Sequence, residues 1–170
     1  MRMIVLLTLV AISLLGCSKD YRTVAKVDIP RYMGDWYVIA ILPNFIEKHA
    51  VNGIESYRLQ EDGRIGVTYT YYKNSPTGKR KVMYPTGKVH NTVTNAEWRM
   101  QLFKPFWAKY LIIYLDDDYQ HTAVGVPNRK YVWIMSRSPQ MPEDEYQRIL
   151  RDLAAQGYNT KRIVKMPQIW

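Results

Sequence analysis

The sequence predicts an all-β domain, either a sandwich or an up-and-down barrel, with one helix near its C-terminal end. Large residues recur with period two in eight short runs separated by turn-forming residues, and one segment, 142–156, switches to helical spacing. At 170 residues, with 47% hydrophobic and 23% charged side chains, the chain can bury one real core, so a single domain is expected.

The first residues belong to a different class. Arg2 precedes an apolar run from Ile4 to Leu15 that ends at Gly16, the pattern of a secretory signal. That run falls short of the roughly 20 apolar residues a spanning helix needs, so residues 1–16 are expected to be removed. The chain has one cysteine, Cys17, which cannot form an intrachain disulfide. Leu14-Leu15-Gly16-Cys17 resembles the bacterial lipobox, in which the cysteine sulfur carries a diacylglyceryl group. The resemblance implies that Cys17 is the lipid attachment site, bearing palmitate-class chains. Each buried CH₂ adds about 0.8 kcal/mol, so two or more chains anchor permanently. Ser18 follows where an Asp would retain such proteins at the inner membrane; the resemblance therefore implies an outer-membrane, periplasm-facing location. Residues 17–30 are expected to form a lipidated tether and 31–170 the folded domain.

The net charge of +9 and the run Lys79-Arg80-Lys81, with Tyr84 and Lys88 nearby, raise a nucleic-acid reading. An exported, tethered protein meets little nucleic acid, whereas anionic headgroups attract the same basic face. No nucleic-acid partner is expected.

In Ile65-Gly-Val-Thr-Tyr-Thr-Tyr71 the large residues occupy one face and Gly or Thr the other, as in a half-buried strand. Similar runs span 36–42, 54–60, 81–90, 97–103, 110–115, 119–126 and 131–136. Turn signals separate them, among them Pro43-Asn44, Glu61-Asp62-Gly63, Asn74-Ser-Pro-Thr-Gly78, Asp116-Asp-Asp118 and Pro127-Asn128. From Pro142 to Gln156, Tyr146, Ile149, Leu150, Leu153 and Ala154 form a stripe, Glu143, Asp144 and Glu145 fill the first turn, and Gly157 stops the helix. Residues 160–164 are expected to add a short final strand.

No catalytic constellation is evident. His49, His90 and His121 lack metal-ligand spacing, no Gly-x-Ser-x-Gly elbow is present, and the two Thr-Gly-Lys copies at 77–79 and 86–88 lack the spacing of a phosphate loop. The chain is read as a non-enzyme without cofactor or metal.

Three motifs carry a family resemblance. Gly34-Asp-Trp36-Tyr37 looks like the signature that opens the first lipocalin strand; Asp116-Asp-Asp-Tyr119 lies where the family has Thr-Asp-Tyr; and Arg137 stands where the family has an arginine after the last barrel strand. The chain resembles bacterial lipoprotein lipocalins, the apolipoprotein D-like branch. This implies an eight-stranded antiparallel up-and-down β-barrel, with the 142–156 helix packed outside. Gly34, Trp36, Tyr119 and Arg137 become a structural signature, in which Arg137 stacks on Trp36 to close one end of the barrel through a contact of roughly 0.5–2 kcal/mol.

By the family's strand phases, the inward residues would be Glu55, Tyr57, Val67, Tyr69, Tyr71, Met100, Tyr110, Ile112, Tyr114, Tyr131, Trp133 and Met135, with Trp107 on a loop at the mouth. Of these Tyr57, Tyr69, Tyr71, Met100, Trp107, Tyr114 and Trp133 are the expected ligand-binding cavity. An inward Glu55 implies a wet cavity or a neighbouring Lys or Arg. The function the resemblance implies is storage or transport of a fatty acid or lysophospholipid for envelope maintenance, with a homodimer possible. Two other readings stay open: a haem or pigment carrier, and a structural envelope lipoprotein whose barrel is filled by its own aromatics.

Overall fold

The computed structural model describes residues 21–170; Cys17, expected to carry the lipid, and the signal segment expected over 1–16 lie outside the described residues. A short helix α1 (Ile29–Tyr32) leads into strands β1 (Gly34–Ile41), β2 (Ala50–Leu59), β3 (Ile65–Lys73), β4 (Arg80–Met83), β5 (Thr86–Val89), β6 (Glu97–Phe103), β7 (Phe106–Leu115), β8 (His121–Gly125) and β9 (Val132–Ser136). Helix α2 (Glu143–Ala155), a 3₁₀ turn (Thr160–Arg162) and strand β10 (Val164–Lys165) follow.

Each strand pairs antiparallel with its neighbour around the ring, and β1 pairs with both β2 and β9, so the sheet closes on itself. β4 and β5 share one position in the ring, both pairing with β3. The predicted single strand over 81–90 is broken at Tyr84-Pro85, where proline has no N–H for the ladder; the Pro85 carbonyl still accepts from the Val67 amide at 3.0 Å. The described residues thus form the expected eight-stranded barrel, with β10 added beside β1.

Period two along the strands separates two cores. Val38, Ile65, Val67, Met100, Ile112, Val124 and Met135 point into the barrel. Ala40, Leu111, Ile113, Ala123, Val132 and Ile134 point outward and are covered by Tyr146, Ile149 and Leu153 of α2, each fully buried aliphatic contributing roughly 1.5–3 kcal/mol. Gly157, at φ +86, ends that helix in the left-handed region. The expected final strand at 160–164 is instead the 3₁₀ turn followed by β10, because only Val164 and Lys165 reach the exposed ladder of β1 at Ile41 and Ala40.

The expected tether through residue 30 is not free of the barrel. The Val24 amide donates to the Ile112 carbonyl at 3.0 Å, the Val27 amide to the Thr94 carbonyl at 2.7 Å, and Val27 is fully buried. Asp28 then caps α1 by accepting from the Arg31 amide, and Pro30 presets the helical φ in the first turn. The helix is a plug for one end of the ring.

Candidate functional site: an open cavity above an aromatic floor

The closed end is built first. Tyr32 of α1 is fully buried with its ring 5.1 Å from Trp36, 5.7 Å from Tyr57 and 5.4 Å from Trp98. Trp98 stacks on Tyr110 at 5.6 Å. The Trp36 indole N–H donates to the Tyr32 carbonyl at 2.9 Å, and the Arg137 guanidinium lies 3.8 Å from the Trp36 ring.

Arg137 also donates to the carbonyls of Arg31, Tyr32 and Met33 at 2.8, 3.1 and 2.8 Å. These are the terminal carbonyls of α1, which no intrahelical amide can reach. Its remaining donors go to the Asp35 and Tyr119 carbonyls. Gly34 has φ +96 and would bring a Cβ to 3.3 Å from the Arg137 guanidinium, so glycine is required there. Tyr119 completes the closure: its hydroxyl accepts from the Asp28 amide at 2.8 Å and its ring holds the Arg31 guanidinium at 4.0 Å. It sits at φ 59 in the β7–β8 turn rather than in the strand predicted from 119, because Asp116 accepts from the Gln120 and His121 amides and ends β7.

Above this floor the barrel is hollow. A cavity of about 280 Å³ is lined by Glu55, Val67, Tyr69, Met83, Met100, Ala108, Tyr110 and Trp133, with Leu102, Phe103, Val126 and Tyr131 around the rim. The β1–β2 loop folds over one side of the mouth and contributes Asn44, Phe45, Ile46 and Glu47. Asn44 Oδ1 accepts from the amides of Ile46 and Glu47, both at 2.9 Å, shaping the turn. The Glu47 carboxylate reaches into the barrel, accepting from the Tyr69 hydroxyl at 2.7 Å and from the Trp133 indole N–H at 3.0 Å to each oxygen. Tyr71 donates to the Ile46 carbonyl at 3.1 Å. Phe45, at the tip, is 86% exposed.

Of the expected cavity residues, Tyr69, Met100 and Trp133 line the hollow. Tyr57 faces inward but belongs to its base, where its hydroxyl bonds both Glu55 and Tyr110. Tyr71 is buried next to Tyr69 and fixes the loop. Two residues are elsewhere. Trp107 does not sit on a mouth loop: β7 starts at Phe106, and Trp107 lies on the strand, 40% exposed, with the Lys88 ammonium 4.6 Å from its ring.

Tyr114 faces α2, donating to Glu145 at 2.5 Å. A register shift between Ile112 and Tyr114 inverts the alternation there, as a bulge does. Sequence reasoning also missed Tyr32, Trp98 and Glu47. Trp98 was recoverable, since it shares a face of β6 with Met100; nothing in the sequence around Glu47 distinguishes it from a solvated loop acid.

Glu55 takes neither a Lys nor an Arg among the described residues. It is 9% exposed and accepts the Tyr57 hydroxyl on one oxygen. Burial pushes its carboxyl up to about 7, the Tyr57 hydrogen bond opposes that, and the nearby Glu47 reinforces it. Burial likewise raises the Tyr57, Tyr69 and Tyr110 hydroxyls well above their usual range, so they remain donors. On the outer surface, Asp116, His121 and Glu145 bring ligand atoms within 4.8 Å of one another. There His121 Nδ1 meets Asp116 at 2.8 Å, and Glu145 holds the Tyr114 hydroxyl and the Arg148 guanidinium.

The segment that builds this barrel, with its α1 plug and Arg137 on Trp36, lies within residues 27–168, over which the sequence matches a family model described as a lipocalin-like domain. The chain is a lipocalin. It is 32% identical over 160 residues to temperature-induced lipocalin-1 of Arabidopsis thaliana, covering 89% of this chain and 84% of that one. It is 30% identical over 153 residues to the outer membrane lipoprotein Blc of Citrobacter freundii, covering 88% and 84%. Among solved structures, insecticyanin from the tobacco hornworm Manduca sexta superposes with a TM-score of 0.70 at 14% identity, covering 88% and 85%. That likeness concerns the fold. The expected bacterial lipoprotein branch is supported by the Blc relatives, and the barrel with its outer helix is the lipocalin architecture.

Proposed function

We propose that this lipocalin is a membrane-anchored carrier of single-chain lipids, storing or transporting fatty acids or lysophospholipids for envelope maintenance by binding and release, without bond chemistry. The observation that carries this reading is the hollow upper barrel. Its wall of Val67, Met83, Met100, Leu102 and Ala108 is apolar, and its mouth presents exposed Phe45 and Phe103. A volume near 280 Å³ falls just below the about 300–1,000 Å³ typical of small-molecule pockets. It suits one acyl chain, not two, and none of the three histidines lines it to hold a haem iron. The filled-barrel alternative describes only the lower half, where Tyr32, Trp36, Tyr57, Trp98 and Tyr110 pack solidly.

Displacement of a fluorescent fatty acid tests the site. Trp133→Ala removes a cavity wall and the indole that holds Glu47, and is expected to weaken binding about tenfold, the equivalent of roughly 1.4 kcal/mol. Trp107→Ala, on the outer face, is expected to leave affinity unchanged. Equal losses in the two variants would remove the site assignment.

The anchor is tested separately. Blc relatives are named outer membrane lipoproteins, and Cys17 is the chain's single cysteine. Radioactive palmitate is expected to label wild-type protein and not Cys17→Ser, which should leave the membrane fraction for the soluble one. Equal labelling of both would overturn lipidation at Cys17.

A further inference from the structure

The cavity is lined by two carboxylates, Glu55 on β2 and Glu47 reaching in from the loop at the mouth, and neither has an ion pair among the described residues. The two are neighbours through Tyr69, which donates to Glu47 and stands directly across the β2–β3 ladder from Glu55. Lys109 belongs to the same lining but its ammonium turns away, donating to the Tyr21 hydroxyl at 3.2 Å and lying 5.0 Å from that ring.

The oxygens of Glu47 are fully engaged by Asn44, Tyr69 and Trp133. Those of Glu55 are not: Oε2 takes Tyr57, and no described group bonds Oε1. Since no buried side-chain oxygen lacks a partner among the described residues, Oε1 opens onto the cavity. Aromatic rings of Tyr69, Tyr110 and Trp133 surround the same space. A carboxylate among aromatic faces is an environment that attracts ammonium groups.

We propose that this cavity selects single-chain amphiphiles bearing a protonated amine, seated head-first with the ammonium against Glu55 Oε1 and ringed by Tyr69, Tyr110 and Trp133. This rests on the reading of the hollow as the lipid site. The same two carboxylates disfavour a carboxylate headgroup at that depth, so a fatty acid enters tail-first and keeps its head at the mouth. The titratable groups facing Glu55 are Tyr57 on its own strand, Tyr69 on β3, Tyr110 on β7, Tyr32 on α1 and Glu47 on the loop. All four tyrosines stay neutral, which leaves the two glutamates to set the sign.

Calorimetric titration at pH 8 with decylammonium, decanol and decanoate, below their aggregation limits, separates the possibilities. Decylammonium is expected to bind roughly 10- to 100-fold tighter than decanol, the range of a charge-assisted hydrogen bond, with decanoate weakest. In Glu55→Gln the ammonium-to-alcohol ratio is expected to fall below about threefold. Decanoate binding as tightly as decylammonium in wild type, or an unchanged ratio in Glu55→Gln, would overturn the ammonium site while leaving the carrier intact. Failure of all three ligands to bind a folded wild-type barrel would overturn both.

Discussion

Replacing Trp36 with alanine is expected to remove about 3–5 kcal/mol of folding stability, the range for deleting a fully buried large aromatic. The expectation rests on what converges there. The ring is fully buried, packs on Tyr32 at 5.1 Å and carries the Arg137 guanidinium at 3.8 Å. Its N–H satisfies the Tyr32 carbonyl. Losing it leaves a cavity beneath α1, and takes away the surface on which Arg137 is oriented to collect the helix's terminal carbonyls. The plug should loosen with the floor. Urea denaturation followed by circular dichroism is the measurement, with a lower midpoint and an unchanged slope expected. Ligand affinity measured well below the midpoint should hold, because Tyr57 and Tyr110 separate the floor from the cavity. A loss under about 1 kcal/mol, the size of an ordinary substitution, would show that the Trp36–Arg137 pair does not hold the end closed.

The barrel was legible because a strand with one wet and one buried face must alternate, and eight such runs survive in the sequence. β2, β3, β6 and β9 lie close to where alternation places them. What failed to read was anything that depends on a single inserted residue or on loop conformation. The shift after Ile112 carries no compositional mark, yet it turns Tyr114 from the cavity to α2. Pro105 reads as a loop, but the β6–β7 hairpin is tight enough that Phe103 already pairs with Phe106, placing Trp107 on a strand face. Glu55 was recognisable as an inward carboxylate needing water or a cation. The structure answers with the Tyr57 hydroxyl on one oxygen and the open hollow at the other. Glu47 was invisible because its role comes from a loop that folds back across the mouth.

Glu55→Gln is expected to stabilise the protein, and only above a defined pH. The folded carboxyl titrates near 7 against an ordinary 4.5, so between those values the folded state holds a proton that the unfolded chain has released. Stability contributed by the protonated form is complete below 4.5 and is lost as pH rises through 7, because ionisation in the buried site is costly. Glutamine cannot ionise, and its amide oxygen can still accept the Tyr57 hydroxyl. The variant should therefore gain on wild type across pH 4.5–7 and exceed it by on the order of 3 kcal/mol at pH 8, since each tenfold change in proton affinity is worth about 1.36 kcal/mol. Near pH 4.5 the two should agree within about 0.5 kcal/mol, the usual size of a substitution that breaks nothing. Paired urea titrations at pH 4.5 and 8 decide it, since every other titrating group is common to both proteins. A gap that does not change with pH would place Glu55 in water. A gap that opens as described means the barrel carries an ionised carboxylate at a cost to its own stability, which is how binding groups differ from core-filling ones.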